Sequence, residues 1–317
     1  MDDRKLLVGI SACLLGDQVR FDGGHKKDGF LTGVLGEYVE WVRVCPEVDI
    51  GLGTPRESIR LEKRADEVRL VGTRSGTDHT EKMRAYAKDK SEEIAGLELR
   101  GYVLKKDSPS CGMERVRLYD RNDIPSKDGV GLFAEALLKR SPLLPVEEEG
   151  RLRDPRLREN FITRIFAYDR WIELQKRGPK PRDVVEFHAA HKLLLLAHSP
   201  SIYGSLGKLV ARAGVLSMDE LLARYESEFM TALRRVASPG RHSNVLEHLA
   251  GFLKEELNAR EKEELHGVIR DYRAGYVPLI TPVVLLHHHL KRLGHRWVEA
   301  QVYLEPYPRQ LALRSAV

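Results

Sequence analysis

Short apolar runs that each end in a turn recur three times in the first half of the chain. Residues 5–11, 38–44 and 101–104 are rich in β-branched and other apolar side chains, a pattern that predicts buried strands. Apolar residues at helical spacing occupy residues 80–94 and 131–138, between and after these strands. Alternating strands and helices predict an α/β domain with a doubly wound, mostly parallel sheet.

The pattern changes at residues 142–155. Prolines, Gly150 and the acidic run Glu147-Glu148-Glu149 predict a surface connection, with domains at residues 1–154 and 155–317 on either side. Beyond it the apolar residues repeat at helical spacing over residues 161–175, 184–196, 206–213, 218–236, 244–258 and 261–272. We therefore expect a mostly α-helical C-terminal domain.

Composition narrows the class of protein. The 317 residues are 42% apolar and 31% charged, and no apolar run approaches the roughly 20 residues that span a bilayer, so we expect no membrane association. The first residues are acidic, whereas a signal peptide begins with basic residues, and this favours a cytoplasmic location.

The net charge of +5 divides into about −3 over residues 1–150 and about +8 over residues 151–317. The second half is therefore expected to meet an anionic partner such as nucleic acid, or else to carry a solvated basic surface.

The three cysteines are the residues that most clearly indicate a metal or cluster site. Cys13, Cys45 and Cys111 each follow a predicted strand, and an odd number in a cytoplasmic chain does not form a paired disulfide framework. Because ligands collect beyond the carboxyl ends of parallel strands, the three thiols are expected to converge there. Thiolates select zinc, copper or iron-sulfur clusters, and three of them leave one metal position open. Isolated buried cysteines, or a zinc site completed by His25 or His79, are the alternatives.

Polar residues beside the cysteines are candidates for catalysis and substrate binding. Glu47 lies two residues after Cys45, where an apolar surrounding would raise its pKa and suit it to proton transfer. Ser108 and Ser110 precede Cys111 and could donate hydrogen bonds to a substrate, although serine beside proline is also ordinary turn chemistry. Asp22 is a further polar candidate, with a surface or capping role as its alternative.

Together, five motifs in order resemble the thiouracil desulfidases over residues 5–150. They are Ser11-Ala12-Cys13-Leu14-Leu15-Gly16, Arg20-Phe21-Asp22-Gly23, Val44-Cys45-Pro46-Glu47, Gly51-Leu52-Gly53-Thr54-Pro55-Arg56 and Ser108-Pro109-Ser110-Cys111-Gly112. The second half, with the stretches 191–198 and 244–249, looks like the helical domain fused to that module in bacterial tRNA 4-thiouridine desulfidases.

The resemblance implies a 4Fe-4S cluster held by Cys13, Cys45 and Cys111, with the fourth iron open to the sulfur of a thiocarbonyl. It also implies a hydrolysis without net electron transfer, in which Glu47 helps to activate water and Ser108 is needed for activity. Ser11, Asp22 and Ser110 are the candidate substrate-binding residues, since they belong to the same motifs.

The chemistry fits both free 2-thiouracil and 4-thiouridine in tRNA, and the basic second half favours tRNA as the partner. The candidate phosphate contacts are Arg164, Arg170, Lys192, Lys208, Arg212, Arg234, Arg235 and Arg241. The ten histidines of this half, including His287-His288-His289, are expected on the surface or in packing rather than at a metal. A non-catalytic module that binds zinc and RNA is the alternative from a different class.

Overall fold

The computed structural model describes residues 4–65, 67–293 and 296–317. Within it the chain divides into two compact units, Met1–Arg153 and Asp154–Val317. The sequence places the boundary one residue later, between residues 154 and 155.

The first unit is built on a four-stranded parallel sheet. Its strands are β1 (Leu6–Ser11), β2 (Val39–Val44), β5 (Gly101–Leu104) and β8 (Val146–Glu148), in the order β2-β1-β5-β8. The helices are the short α1 (Pro46–Asp49), α2 (Thr80–Gly96) and α3 (Leu132–Arg140), and α2 packs against α3. This confirms the predicted α/β fold class.

Strand order fixes where a ligand can bind. The chain leaves β1 for β2 on one side and later places β5 on the other, so the connections diverge at β1. Crevices form at the carboxyl ends of strands where connections diverge in this way. Close packing supports the arrangement: a Cβ at Gly9 of β1 would lie 2.1 Å from the ring of Tyr102 on β5, so only glycine fits there.

A second four-stranded sheet in this unit was not predicted. It consists of β3 (Ile59–Arg64), β4 (Glu67–Gly72), β6 (Val116–Tyr119) and β7 (Pro125–Gly129), in the order β4-β3-β6-β7. The β3–β4 and β6–β7 pairs are antiparallel hairpins, and β3 joins β6 in parallel. This second sheet contributes one wall of the cavity described below.

The second unit is helical, and the predicted mostly α-helical C-terminal part is confirmed. Its helices are α4 (Pro155–Lys176), α5 (Pro181–His198), α6 (Pro200–Val210), α7 (Met218–Leu233), α8 (Pro239–Gly251), α9 (Ala259–Ala274), α10 (Ile280–Leu293) and α11 (Arg296–Glu299). Four of them begin with proline, whose fixed φ and missing amide hydrogen suit the first helical position. Across the described ranges, none of the helices has the length and apolar character needed to cross a bilayer.

Aromatic and histidine side chains fill the core of the helical unit. Trp171 stacks on Tyr225 at 4.9 Å between ring centroids, and Phe187 stacks on His191 at 3.9 Å. Burial lowers the pKa of His191 to about 3, so this ring is neutral at physiological pH. It therefore packs as an aromatic residue rather than as a cation.

Candidate active site

The three cysteines follow three neighbouring strands of the parallel sheet. Cys13 lies in the helical turn after β1, Cys45 directly follows β2, and Cys111 lies in the turn region beyond β5. Since β2, β1 and β5 are adjacent and parallel, their carboxyl ends share one edge of the sheet. All three thiols are free.

Burial keeps these thiols protonated in the absence of a cationic partner. It raises the pKa of Cys13 to about 11, raises that of Cys45, and raises that of Cys111 well above the ordinary thiol value. Cys45 also raises the pKa of Cys13, and both raise the pKa of Cys111, which places the three within electrostatic range. A metal-containing group that prefers sulfur would supply the missing positive charge, and the donor set fits such a group.

The zinc alternative gains no support from the surrounding side chains. His25 is exposed, and His79 lines a separate cleft from the one that contains the cysteines. Within residues 4–65, 67–293 and 296–317, no three His, Cys, Asp or Glu side chains come together as the ligands of a single ion would.

A cavity of about 550 Å³ opens at this edge of the sheet. Cys13, Cys45, Glu47 and Ser108 line one part of it, and side chains of the second sheet line the rest. Cys111, which is 6% exposed, is not among the lining residues. The basic side chains in the lining are Arg20, Lys26, Arg56, Arg60, Lys105, Lys106 and Arg117.

The carboxylate of Glu47 is fixed on both of its oxygens. Arg56 donates to Oε2 from Nη2 at 2.6 Å and from Nε at 3.2 Å. Ser108 and Ser110 donate from their hydroxyls to Oε1 at 3.4 and 3.2 Å. The surrounding of Glu47 is therefore polar and charged, which corrects the expected apolar environment.

Sequence reasoning did not assign a role to Arg56. Its side chain is 6% exposed, and it also donates to the carbonyl oxygens of Gly53 (2.7 Å) and Val19 (3.0 Å). Arg56 thus joins its own loop and the segment that carries Val19 to Glu47, and it is a positioning residue. The available signal was its place at the end of the Gly-Leu-Gly-Thr-Pro-Arg motif, nine residues after Glu47.

Replacing Arg56 is expected to destabilise the protein far more than breaking an exposed ion pair. Arg56→Gln leaves the Glu47 carboxylate partly buried without its cation, which should lower the free energy of unfolding by about 3 kcal/mol. The matched control is Arg43→Gln, because the Arg43–Asp17 pair at 3.1 Å is largely exposed and should contribute less than about 1 kcal/mol. Urea unfolding of both full-length variants measures the difference. Equal losses would show that the Arg56–Glu47 pair is not specially buried.

The serines before Cys111 organise its turn. Ser108 Oγ accepts hydrogen bonds from the amides of Ser110 (3.2 Å) and Cys111 (3.1 Å), and it lines the cavity. Ser110 is fully buried and does not line the cavity, so it positions Glu47 rather than meeting a substrate. Its prediction as a substrate-binding residue is therefore corrected. A Cβ at Gly131 would lie 2.5 Å from the Ser110 carbonyl, so the start of α3 packs directly on this turn.

The other two predicted substrate-binding residues lie in different environments. Ser11 lines the cavity, yet its Oγ accepts from the Lys105 amide at 3.0 Å and so joins β1 to the end of β5. Asp22 is exposed and is not among the lining residues. Its Oδ1 accepts from the Gly24 amide at 3.0 Å, which lowers its pKa, and it therefore caps a turn instead of facing the cavity.

The acidic run Glu147-Glu148-Glu149 is buried, which corrects its prediction as part of a surface connection. Glu147 accepts from Arg151 Nε at 2.6 Å, and Glu148 accepts from the Met113 amide at 2.8 Å. Glu149 accepts from Lys105 Nζ at 2.6 Å and from the Lys106 amide at 2.8 Å. Lys105 lines the cavity, and its charge lowers the pKa of Cys13.

Two of the predicted phosphate contacts in the helical unit are directed into the protein. Arg164 is 7% exposed, and Arg170, which is half-buried, donates to the Pro306 carbonyl at 2.7 Å while burial lowers its pKa to about 10. Arg164 is therefore too buried to meet a phosphate, and Arg170 already uses its guanidinium on a backbone carbonyl. Arg241 is half-buried and donates to the His198 carbonyl at 2.9 Å, and Lys192 Nζ lies 5.5 Å from the centroid of the Trp297 ring. The exposed candidates are Lys208, Arg212, Arg234 and Arg235, which stay predictions.

Two family models match the chain, one in each unit. The first is described as 2-thiouracil desulfurase and matches residues 8–149, and the second is a protein of unknown function, DUF1722, and matches residues 192–308. Residues 8–149 include all three cysteines, Glu47 and Ser108. Since the second family has no described function, the likeness of the helical unit to that of tRNA 4-thiouridine desulfidases stays a prediction.

Relatives of the chain include two uncharacterized bacterial proteins. YbgA of Escherichia coli (strain K12) is 30% identical over 162 residues, which are 51% of this chain and 96% of YbgA. YbbK of Bacillus subtilis (strain 168) is 32% identical over 118 residues, covering 33% of this chain and 73% of YbbK. A solved structure, the 4Fe-4S-dependent thiouracil desulfidase TudS, is 33% identical and covers 47% of this chain and 94% of its own, with a TM-score of 0.38.

Proposed function

The chain belongs to the family of these relatives and carries a 2-thiouracil desulfurase domain, and from this premise we propose that it desulfurates 4-thiouridine in tRNA by cluster-dependent hydrolysis. The observation that carries the proposal is the position of three free thiols just beyond three neighbouring parallel strands, near a carboxylate that Arg56 holds. Cys13, Cys45 and Cys111 would hold a 4Fe-4S cluster, the group named for TudS. When bound, the cluster supplies a Lewis-acidic iron that polarises the carbon–sulfur bond.

Glu47 performs the proton transfer in this proposal. A bond forms between the oxygen of a water molecule and the ring carbon, and the bond from that carbon to sulfur breaks. Glu47 accepts a proton from the water, and sulfur leaves as hydrosulfide, so no electrons are gained or lost. Arg56 and Ser110 keep the carboxylate in place, and Ser108 both contacts it and lines the cavity where the substrate would lie.

Charge favours a phosphate-bearing substrate over a free base. Seven basic side chains line the cavity, whereas 2-thiouracil is a small neutral ring. Residues 151–317 carry a further charge of about +8. Lysine and arginine gain affinity for nucleic acids by releasing phosphate counterions, so this charge supports tRNA as the partner.

The experiment compares substrates on one enzyme. The full-length protein is reconstituted anaerobically with iron and sulfide and incubated with 4-thiouridine-containing tRNA or with free 2-thiouracil. We expect mass analysis of tRNA nucleosides to show 4-thiouridine converted to uridine with equal release of hydrosulfide. A triple variant should reduce turnover of tRNA more than turnover of the free base. It combines Lys208→Gln, Arg212→Gln and Arg235→Gln. Hydrosulfide release from 2-thiouracil alone would make the free base the substrate.

A further inference from the structure

A second, smaller crevice adjoins the cavity of the catalytic unit. Its volume is about 390 Å³, and it shares Lys106, Asp107 and Arg117 with the cavity that contains Cys13 and Cys45. The two spaces are therefore neighbours along one wall. Nothing in the proposed hydrolysis of a single thiolated base uses the second one.

Positive charge dominates this crevice. Five basic residues line it against three acidic ones, and all three acidic side chains already have partners. Asp107 pairs with Lys106 at 3.5 Å. Glu114 pairs with Arg151 at 2.7 Å, and Glu148 accepts from the Met113 amide at 2.8 Å. In the part of the chain that the structure describes, no ion pair joins Arg115, Arg117 or Lys127 to a carboxylate, and all three residues are exposed.

The β6–β7 hairpin and the turn before it bring these cations to the crevice. Arg117 is in β6, and Arg115 lies in the turn before this strand, with a positive φ of 55°. Lys127 lies on the antiparallel partner β7. Arg117 lines both the cavity and the crevice, whereas Arg115 and Lys127 line the crevice alone.

We propose that this crevice binds the phosphate backbone of the RNA strand next to the thiolated nucleotide, so that the catalytic unit itself holds single-stranded RNA. The inference rests on the proposed function, because it assumes that the cavity holds a thiolated base. A free base or one nucleotide ends within the cavity, whereas a polynucleotide must continue out of it. The shared wall of Lys106 and Arg117 leads into the crevice, where Arg115, Arg117 and Lys127 have no carboxylate partner among the described residues. The phosphates of a nucleic-acid strand are ligands that several unpaired cations in one crevice fit.

The test measures RNA binding by the full-length protein. A fluorescently labelled single-stranded oligoribonucleotide is titrated with wild type and with the double variant Arg115→Gln/Lys127→Gln at several salt concentrations. We expect the Kd of the variant to rise roughly tenfold at low salt, and the slope of log affinity against log salt to fall by about 1.4, or about 0.7 for each lost phosphate contact.

The matched control is Lys88→Gln/Lys139→Gln. These lysines are exposed on α2 and α3, line neither space, and their replacement changes the net charge by the same amount. The control should bind RNA as wild type does. Equal Kd and slope for the two double variants would overturn the proposal.

Binding requires neither a cluster nor turnover, so this result is independent of whether the chain desulfurates 4-thiouridine. With active enzyme, the crevice variant should also lower the ratio of kcat/KM for 4-thiouridine-containing RNA to that for free 2-thiouracil. An unchanged ratio would likewise count against the crevice as an RNA site.

Discussion

Replacing Cys13, Cys45 or Cys111 with alanine is expected to abolish the binding of iron and acid-labile sulfide. The wild-type protein, purified anaerobically, should be brown and contain about four of each per chain. In the proposed site each thiol would be one of three ligands. Burial keeps a free thiol protonated, so the remaining two cysteines would face a cluster with a missing anionic ligand. Iron and sulfide analysis with visible absorption spectra measures the loss.

Cysteine-to-serine variants and thermal unfolding separate ligation from folding. The alanine variants should unfold near the temperature of the cluster-free wild type, because each change removes one small side chain. Serine retains the size of the side chain without the sulfur and should also lose iron. A colourless, iron-free wild type with bound zinc would instead support the zinc and RNA-binding module. Full iron content in any of the three alanine variants would remove that cysteine from the ligand set.

Replacing Glu47 with glutamine is expected to lower kcat by about 10²–10⁴-fold, the usual contribution of a general base. Glutamine keeps the size of the side chain, and its one amide oxygen can still accept from Arg56. Its NH2 group replaces the oxygen that accepts from Ser108 and Ser110, and the amide cannot accept a proton. The iron and sulfide content should stay at the wild-type level, because none of these contacts involves a cysteine side chain. Hydrosulfide release under saturating substrate measures kcat.

Asp49→Asn is the matched control for this change. Asp49 lies on the same short helix, α1, and its carboxylate contacts the Tyr86 hydroxyl outside the cavity. The control removes the same charge two residues away and should leave kcat within a few fold of wild type. If Glu47→Gln and Asp49→Asn reduce kcat equally, the effect is electrostatic or structural, and Glu47 is not the base.

The parallel sheet could be predicted because its strands have a simple signal. β1, β2 and β5 are short apolar segments, and each ends in a turn that contains or precedes a cysteine. A buried parallel strand needs apolar residues on both faces, so composition alone distinguishes it from a loop. The position of the three cysteines beyond neighbouring strand ends followed from the shared direction of these strands.

The second sheet carried no such signal. β3 reads Ile-Arg-Leu-Glu-Lys-Arg and β7 reads Pro-Ser-Lys-Asp-Gly, so charged and turn-forming residues dominate both strands. Antiparallel strands can expose one face to water, and pairing between strands distant in sequence then decides the structure. This is why the wall that bears Arg60, Arg117 and Tyr119 was not predicted.

The predictions for charged residues of the site failed for one physical reason. The sequence shows each charged side chain without the distant residues that pair with it in the fold. Glu147, Glu148 and Glu149 suggested a solvated surface, yet their partners include Lys105 and the Met113 amide, more than 30 residues earlier. Arg56 lies nine residues from Glu47, and only the fold brings the two side chains within 2.6 Å. Local sequence does not reveal pairs of this kind.

The three buried glutamates also set the smallest fragment that can assemble the site. Glu148 holds the Met113 amide, two residues after Cys111, and Glu149 holds both Lys105 and the Lys106 amide on the segment that leads to that cysteine. A chain truncated before β8 would lose both anchors of the turn that carries Cys111. A fragment that keeps this turn in place must therefore extend at least through Glu149, just past the end of β8.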